Sequence, residues 1–289
     1  MSARELVVVA TGPLATVQDP GRPGYAELGV PHSGAVDAPA LALANRLVGN
    51  PADAAGVEAT FGGLRLRARG PGIRHVAVTG APGPVVVDGV PAPFGAPLPL
   101  RQGALLELGA PTSGLRSYLA VRGGIDVPPV LGSRATDLLS GLGPEPLRAG
   151  DRLPVGTSAE EFAGADQAPC SAPPEEFTLR VLPGPRDDWF TGEAAERLCS
   201  ARWTATSRSN RIGIRLAGPP LDRARAGELS AEGMVSGALQ VPPNGQPVLF
   251  LADHPVTGGY PVIGVVLGAD LPLAGQIPPG AGVRFRAVR

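Results

Sequence analysis

The sequence contains no lysine: all 25 of its basic residues are arginine. Whatever set that usage, it removes whole classes of chemistry. No Schiff base can form on a side-chain amine, and a Walker-type phosphate loop lacks its cation. Covalent biotin is carried on lysine, so this chain is not a biotin carrier, and a Ser-Ser-Lys amidase triad is excluded as well. Cysteine is scarce too. Cys170 and Cys199 make neither a disulfide framework nor a metal-type pair, and no metal site is expected. No apolar run approaches the ~20 residues of a membrane span. The stretch Met1 to Thr11 has no basic n-region and no cleavage site, so no signal peptide is expected. A net charge of −1 without a basic cluster argues against nucleic acid. The expectation is a cytoplasmic protein that binds neither membrane nor nucleic acid.

What is abundant is glycine and proline, 41 and 34 in 289 residues, beside 43% apolar and only 18% charged residues. The apolar share is too high for disorder. Gly and Pro break helices and mark turns, which predicts short strands joined by many turns. Runs bounded in this way are Leu6–Val9, Val76–Thr79, Val85–Val87, Leu105–Leu108, Ser117–Val121, Thr178–Leu182, Val248–Leu251, Val262–Leu267 and Val283–Ala287. Two stretches read as helices. Asp37 caps an Ala/Leu-rich run to Leu47, stopped by Gly49-Asn50-Pro51, and Arg186-Asp187-Asp188 opens a second through about Cys199.

A weak internal repeat runs through the chain. Leu6–Val9 before Gly12-Pro13 matches Leu179–Leu182 before Gly184-Pro185. Arg22-Pro23-Gly24 matches Arg211-Ile212-Gly213, Val78-Thr79-Gly80 matches Val256-Thr257-Gly258, and Arg101-Gln102-Gly103 before a strand matches Pro278-Pro279-Gly280 before another. Four matches in one order predict two copies of one β fold, at residues 1–165 and 176–289. The Ala-, Pro- and acid-rich segment 158–174 serves as linker.

Four clusters carry candidate chemistry. In Thr16–Asp37, glycines and prolines compact a loop on which Gln18, Asp19, Arg22 and Ser33 can converge on a polar ligand, the arginine through paired donors. The competing reading is a structural loop in which Asp19 and Arg22 satisfy backbone groups. In Tyr118–Ile125 a strand ends in Arg122-Gly123-Gly124, an anion nest or a tight turn. Ser133, Arg134 and Thr136 follow and can belong to the same pocket. In Ser207–Leu216, Arg208, Arg211 and Arg215 gather positive charge beside Asn210. In a strand, Arg211 and Arg215 share a face, suited to an acidic ligand or to guarding a sheet edge. The fourth cluster, Gly237–Pro261, holds Gln240 and then Asp253-His254, Gly258-Gly259 and Tyr260. Asp253, His254 and Tyr260 offer a base, a proton shuttle and a donor, and Gly258 and Gly259 let backbone N–H groups approach an oxyanion. A hairpin turn with a packed tyrosine is the plainer alternative. His32 and His75 read as structural. No serine sits on a nucleophile elbow.

At these clusters the sequence resembles the family of allophanate hydrolase subunit 2 and the carboxyltransferase-like subunit of bacterial 5-oxoprolinases, which includes KipA and the carboxyltransferase domain of urea carboxylase. The segments that carry the resemblance are Thr16–Asp37, Ala44–Asn50, Ser117–Asp137, Ser209–Gly218 and Gly237–Pro261. The resemblance implies a mainly β chain of two cyclophilin-like β-barrel domains in tandem with a few short helices. It also implies a complex with a subunit-1 (KipI-like) protein and a third 5-oxoprolinase subunit, and ATP held by the complex or by this chain. Its functions span ATP-dependent opening of 5-oxoproline, carboxyl transfer from biotin on another protein, and non-catalytic regulation as in KipA. Without lysine the amidase chemistry that hydrolyses allophanate is closed, so that family label is nomenclature here. The site expected from both lines comprises Asp253, His254 and Tyr260 for proton handling. Gln18, Asp19, Arg22, Arg122, Gly123, Gly124, Arg211, Gln240, Gly258 and Gly259 are expected to bind substrate or anion.

Overall fold

A computed structural model of the chain describes residues 4–158, 164, 166–225, 227 and 229–288. Met1–Ala3 and residues 159–163 and 165 of the expected linker lie outside the described residues. The chain is mainly β, as expected, with short α-helices at Ala38–Leu47, Gly192–Ser200 and Leu271–Ala274. Each apolar run read as a strand overlaps a strand. The chain divides into two compact units that are discontinuous in sequence. The first holds the segment ending at Arg22, Asp37–Asp137 and Gly141–Pro173; the second holds Pro23–Val36, Leu138–Ser140 and the chain from Pro174 onward.

The first unit has a six-stranded and a five-stranded antiparallel sheet. The six-stranded sheet runs, in spatial order, Arg152–Pro154, Glu5–Thr11, Leu64–Arg69, Leu105–Leu108, Val85–Val87 and Val90–Ala92. The other runs Leu14–Gln18, Gly56–Thr60, Arg116–Val121, Arg74–Gly80 and Leu98–Leu100. Three of the outermost strands carry a proline: Pro91, Pro99 and Pro154. Leu64–Arg69 alternates buried aliphatics with arginines, so one sheet face enters the core while the other stays wet. Leu6, Val8, Leu64 and Leu66 of one sheet share a cluster with Val17, Val57, Val78 and Leu119 of the other. Arg116–Val121 is buried along its whole length because its second face lies under helix Ala38–Leu47. That helix begins as its sequence dictates. Asp37 accepts from the Ala40 N–H at 3.1 Å, and Pro39 occupies the first turn, where its missing donor costs nothing.

Polar groups under this helix are matched. Tyr118 donates to Glu58 at 2.8 Å and accepts from the Asp37 N–H at 2.8 Å, while Thr79 donates to the Ala40 carbonyl at 2.6 Å. Burial first, then the Glu58 and Asp37 carboxylates, pushes the Tyr118 hydroxyl well above its ordinary range.

The second unit contains a closed seven-stranded barrel in the order Glu176–Pro183, Val262–Val266, Ala238–Gln240, Val248–Phe250, Gly213–Ala217, Trp203–Ala205 and Gly282–Ala287. The ring closes through a parallel pairing of Gly282–Ala287 with Glu176–Pro183. Phe177, Leu179, Trp203, Leu239, Leu249 and Phe285 fill the interior. On the opposite face, Ala238, Phe250 and Val262 pack with Met234, which follows a two-stranded ribbon of Glu232–Gly233 against Thr257–Gly258. The expected helix from Arg186 to Cys199 is broken in two. A 3-10 turn, Asp187–Trp189, ends at extended Phe190 (φ −114°, ψ 156°), and Thr191 then caps a new helix by accepting from Ala194 at 3.1 Å.

Candidate functional site

The Asp253 turn is built by strand register. Gly213–Ala217 pairs antiparallel with Val248–Phe250, with Gly213 opposite Phe250. Continuing that ladder past both ends brings Arg211 beside Asp253, and the Asp253 N–H donates to the Arg211 carbonyl at 3.1 Å. The side chains then meet as a fork: Arg211 Nε reaches Asp253 Oδ2 and Nη2 reaches Oδ1, both at 2.9 Å. Both side chains are fully buried. Each carboxylate oxygen takes one further donor, Ser33 Oγ at 2.6 Å on Oδ1 and the Leu138 N–H at 3.1 Å on Oδ2. Arg211 Nη2 also donates to the Gly34 carbonyl at 2.7 Å. Ser33 adopts φ +56°, a left-handed conformation that a non-glycine residue holds at some cost when its surroundings insist. One carboxylate therefore fastens three chain segments.

His254 follows directly, nearly buried and stacked on Phe250 with ring centroids 6.1 Å apart. Its Nδ1 lies 2.8 Å from the Pro255 carbonyl, which accepts only from a protonated nitrogen. In the neutral ring that bond keeps the proton on Nδ1. Gln240 donates to the Tyr260 carbonyl at 3.2 Å. A Cβ on Gly258 would stand 2.4 Å from Gln240 Nε2 and 3.2 Å from Met234 Cγ, so any larger residue there would displace the Gln240 amide. The Tyr260 ring is 43% exposed, with the Arg223 guanidinium 5.9 Å from its centroid. Arg186 and Glu232 pair nearby on the ribbon through two hydrogen bonds to one oxygen and one at 3.1 Å to the other.

The expected residues thus sort by unit. Asp253, His254, Tyr260, Arg211, Gln240, Gly258 and Gly259 belong to the second, Gln18, Asp19, Arg22, Arg122, Gly123 and Gly124 to the first. Ser33, read with Gln18, Asp19 and Arg22, bonds Asp253 instead. In the first unit Asp19 accepts from the Gly21 N–H at 2.8 Å, Ser133 Oγ at 2.6 Å and the Arg134 N–H at 2.5 Å. Ser133 and Arg134, read as companions of Arg122, therefore serve Asp19. Arg22 is buried, donating to the Ala135 carbonyl, with Asp137 at 4.0 Å. Gln18 donates to Thr136 O at 3.0 Å. The N–H groups of Gly123 and Gly124 are donated inside the fold, to Asn50 Oδ1 and the Val121 carbonyl, both at 2.8 Å. Arg211 and Arg215 do not share a face: Arg211 precedes the strand and is buried, whereas Arg215 is exposed on it. Among the described residues, no group of three or more His, Cys, Asp or Glu is placed to hold a metal ion, and no helix is long and apolar enough to cross a membrane.

Residues 28–287 match the family described as carboxyltransferase domain, subdomain A and B. The chain belongs to this family. Within it, the chain is 41% identical over 286 residues to a protein of Escherichia coli K12 named as a 5-oxoprolinase subunit, covering 97% of this chain and 90% of that protein. It is 34% identical to the urea amidolyase of Saccharomyces cerevisiae across 96% of its own length, which is 16% of that protein. Among solved structures, the crystal structure of TTHA0988 superposes with a TM-score of 0.89 at 37% identity, covering 99% of this chain and 56% of that one. The Kluyveromyces lactis urea amidolyase superposes at 0.88 with 30% identity, over the whole of this chain and 19% of that one. The chain thus spans 56% of the first structure and under a fifth of the amidolyases, while it matches nearly the whole of the bacterial protein.

Proposed function

We propose that the chain is one subunit of a 5-oxoprolinase-type complex, working with a KipI-like subunit-1 partner and a third subunit to open the 5-oxoproline lactam at the expense of ATP. The observation that supports this most is the 41% identity, nearly end to end, with a protein named as a 5-oxoprolinase subunit. A five-membered lactam is a poor electrophile. Transfer of the ATP γ-phosphoryl to its carbonyl oxygen releases ADP and activates the carbonyl carbon toward water; addition of water, loss of phosphate and cleavage of the C–N bond then yield glutamate. Such a reaction needs a proton donor for the departing nitrogen. Tyr260, an exposed residue with a phenolic proton, is suited to that work, with the neighbouring His254 ring as the second candidate. Asp253 acts as a positioning residue, because its two oxygens already accept four donors.

The test is reconstitution. The chain co-purified with its two partner subunits should consume 5-oxoproline and ATP together, and His254→Gln or Tyr260→Phe should lower kcat by about 100-fold or more while partner binding persists. Absence of turnover by the complete set rejects the proposal. A second reading, carboxyl transfer from biotin on a separate carrier to a urea-like nitrogen, is favoured by the family description and the amidolyase relatives. Urea-dependent discharge of carboxybiotin, with 5-oxoproline inert, would select it. Retained partner binding with every phenotype spared in both variants would point to regulation instead.

A further inference from the structure

Tyr260 lies on a segment that leaves the barrel at Phe250, turns through Asp253 and rejoins it at Val262. Midway, Thr257 and Gly258 pair with Gly233 and Glu232. This ribbon has only two residues on each side, and a two-stranded pairing is marginal by itself. Glycine at 233, 258 and 259 adds backbone freedom. Contacts outside the ladder must therefore hold it. At one end Met234 packs with Ala238, Phe250 and Val262, and its N–H donates to the Val256 carbonyl at 2.9 Å. At the other end stands Arg186.

Arg186 follows the barrel strand Glu176–Pro183 and reaches the segment on both sides of Tyr260. Its backbone N–H donates to the Val262 carbonyl at 3.3 Å, two residues after the tyrosine. Its guanidinium holds Glu232, which lies opposite Gly258, two residues before it. The hold is a fork: Nε donates to the two carboxylate oxygens at 2.8 and 3.1 Å, and Nη2 donates to Oε1. A planar guanidinium joined to a carboxylate in this way fixes orientation as well as distance, which an ammonium does not. The two side chains are 38% and 25% exposed, so water screens the pair only in part. Asp188 also acts on Arg186, but Arg225 holds that carboxylate at 2.7 Å.

We propose that Arg186 and Glu232 are a positioning pair for the Tyr260 turn. The fork clamps the ribbon, and through Gly258 the ribbon sets where the tyrosine is presented. Both residues act through the backbone rather than on substrate. The proposal rests on the reading of Tyr260 as a proton donor, while the clamp itself is measured without turnover.

Hydrogen exchange of the full chain reads the clamp. The reporter is the Met234 amide on the ribbon. The control is the Leu251 amide, which donates to the Ile212 carbonyl at 3.0 Å. Arg186→Gln and Glu232→Gln should each speed exchange at Met234 about tenfold and leave Leu251 within about twofold of the parent. Raising salt from about 0.05 to about 0.5 M should speed Met234 in the parent and add nothing in Glu232→Gln, because screening acts on the pair. In the reconstituted complex both variants should lower kcat about tenfold with KM within about twofold. Arg186→Lys, which keeps the charge and loses the fork, should fall between the parent and Arg186→Gln. Unchanged exchange at Met234 overturns the proposal, as does equal acceleration at Met234 and Leu251, which would mark a pair that supports the whole unit. So does an unchanged kcat in both variants where Tyr260→Phe has lost it. A complete complex that never consumes 5-oxoproline rejects the lactam reading, and the exchange contrast still decides the clamp.

Discussion

Replacing Asp253 with alanine removes the acceptor of four hydrogen bonds at once: two from Arg211, one from Ser33 Oγ and one from the Leu138 N–H. Arg211 stays behind with its side chain fully buried, and of the acceptors around this fork the Gly34 carbonyl is still in place. Breaking a buried ion pair by deleting one partner costs about 3–5 kcal/mol, because the abandoned charge loses its compensation. With a urea m-value of about 2 kcal/mol/M, the unfolding midpoint should fall by about 2 M. The chain supplies its own probe. Both of its tryptophans, Trp189 and Trp203, lie in the second unit, so their fluorescence follows the unit that holds the fork. Arg211→Met combined with Asp253→Leu should recover part of the loss, since an apolar pair leaves no buried charge, although the Ser33 and Leu138 donors lose this acceptor. A midpoint within about 0.3 M of the parent for Asp253→Ala would refute the reasoning, because a loss that small means the carboxylate is solvated rather than the centre of a buried fork.

Gly258→Ala sets a Cβ 2.4 Å from Gln240 Nε2, so the Gln240–Tyr260 bond should break at a cost of about 1–3 kcal/mol, read as a lower midpoint in the same assay. Activity of the reconstituted complex should fall with it. The first unit should lose stability in alkali. The folded Tyr118 holds its proton above the ordinary value of 10.0, so above that pH the unfolded chain binds fewer protons and stability falls as pH rises. The expected slope is about 1.4 kcal/mol per pH unit between pH ~10 and the folded value, followed by circular dichroism in urea. Tyr118→Phe should flatten the slope while losing about 1–3 kcal/mol at neutral pH, since Glu58 and the Asp37 N–H lose a partner.

What the sequence disclosed was local. Asp37, Pro39 and the Gly49-Asn50-Pro51 stop define a helix through short-range chemistry, and the helix lies at Ala38–Leu47. Strand positions followed from Gly and Pro punctuation for the same reason. The break at Phe190 was hidden because Asp187 and Asp188 resemble a helix first turn, while Thr191, the true cap, sits three residues further on. Helix Leu271–Ala274 is a single turn, too short to show a period. At the site, Asp253 and His254 stood out as chemistry-bearing types. Their partners did not: Ser33 lies 220 positions from Asp253 and Leu138 lies 115, and no spacing in one sequence signals contacts that distant. Arg74 and His75 were passed over because arginine and histidine inside a strand look like surface and packing. Only the pairing with the strand that leads to Arg122 sets His75 beside it.

The proline-bearing outer strands and the closed ring have a consequence for assembly. A ring exposes no row of unpaired amides, and Pro91, Pro99 and Pro154 each delete a donor from the rims of the open sheets. The remaining rim of the two larger open sheets, Leu14–Gln18, is largely buried. At those rims little main chain is left to zip onto, so recognition there would run through side chains, where one substitution can uncouple a companion without unfolding either.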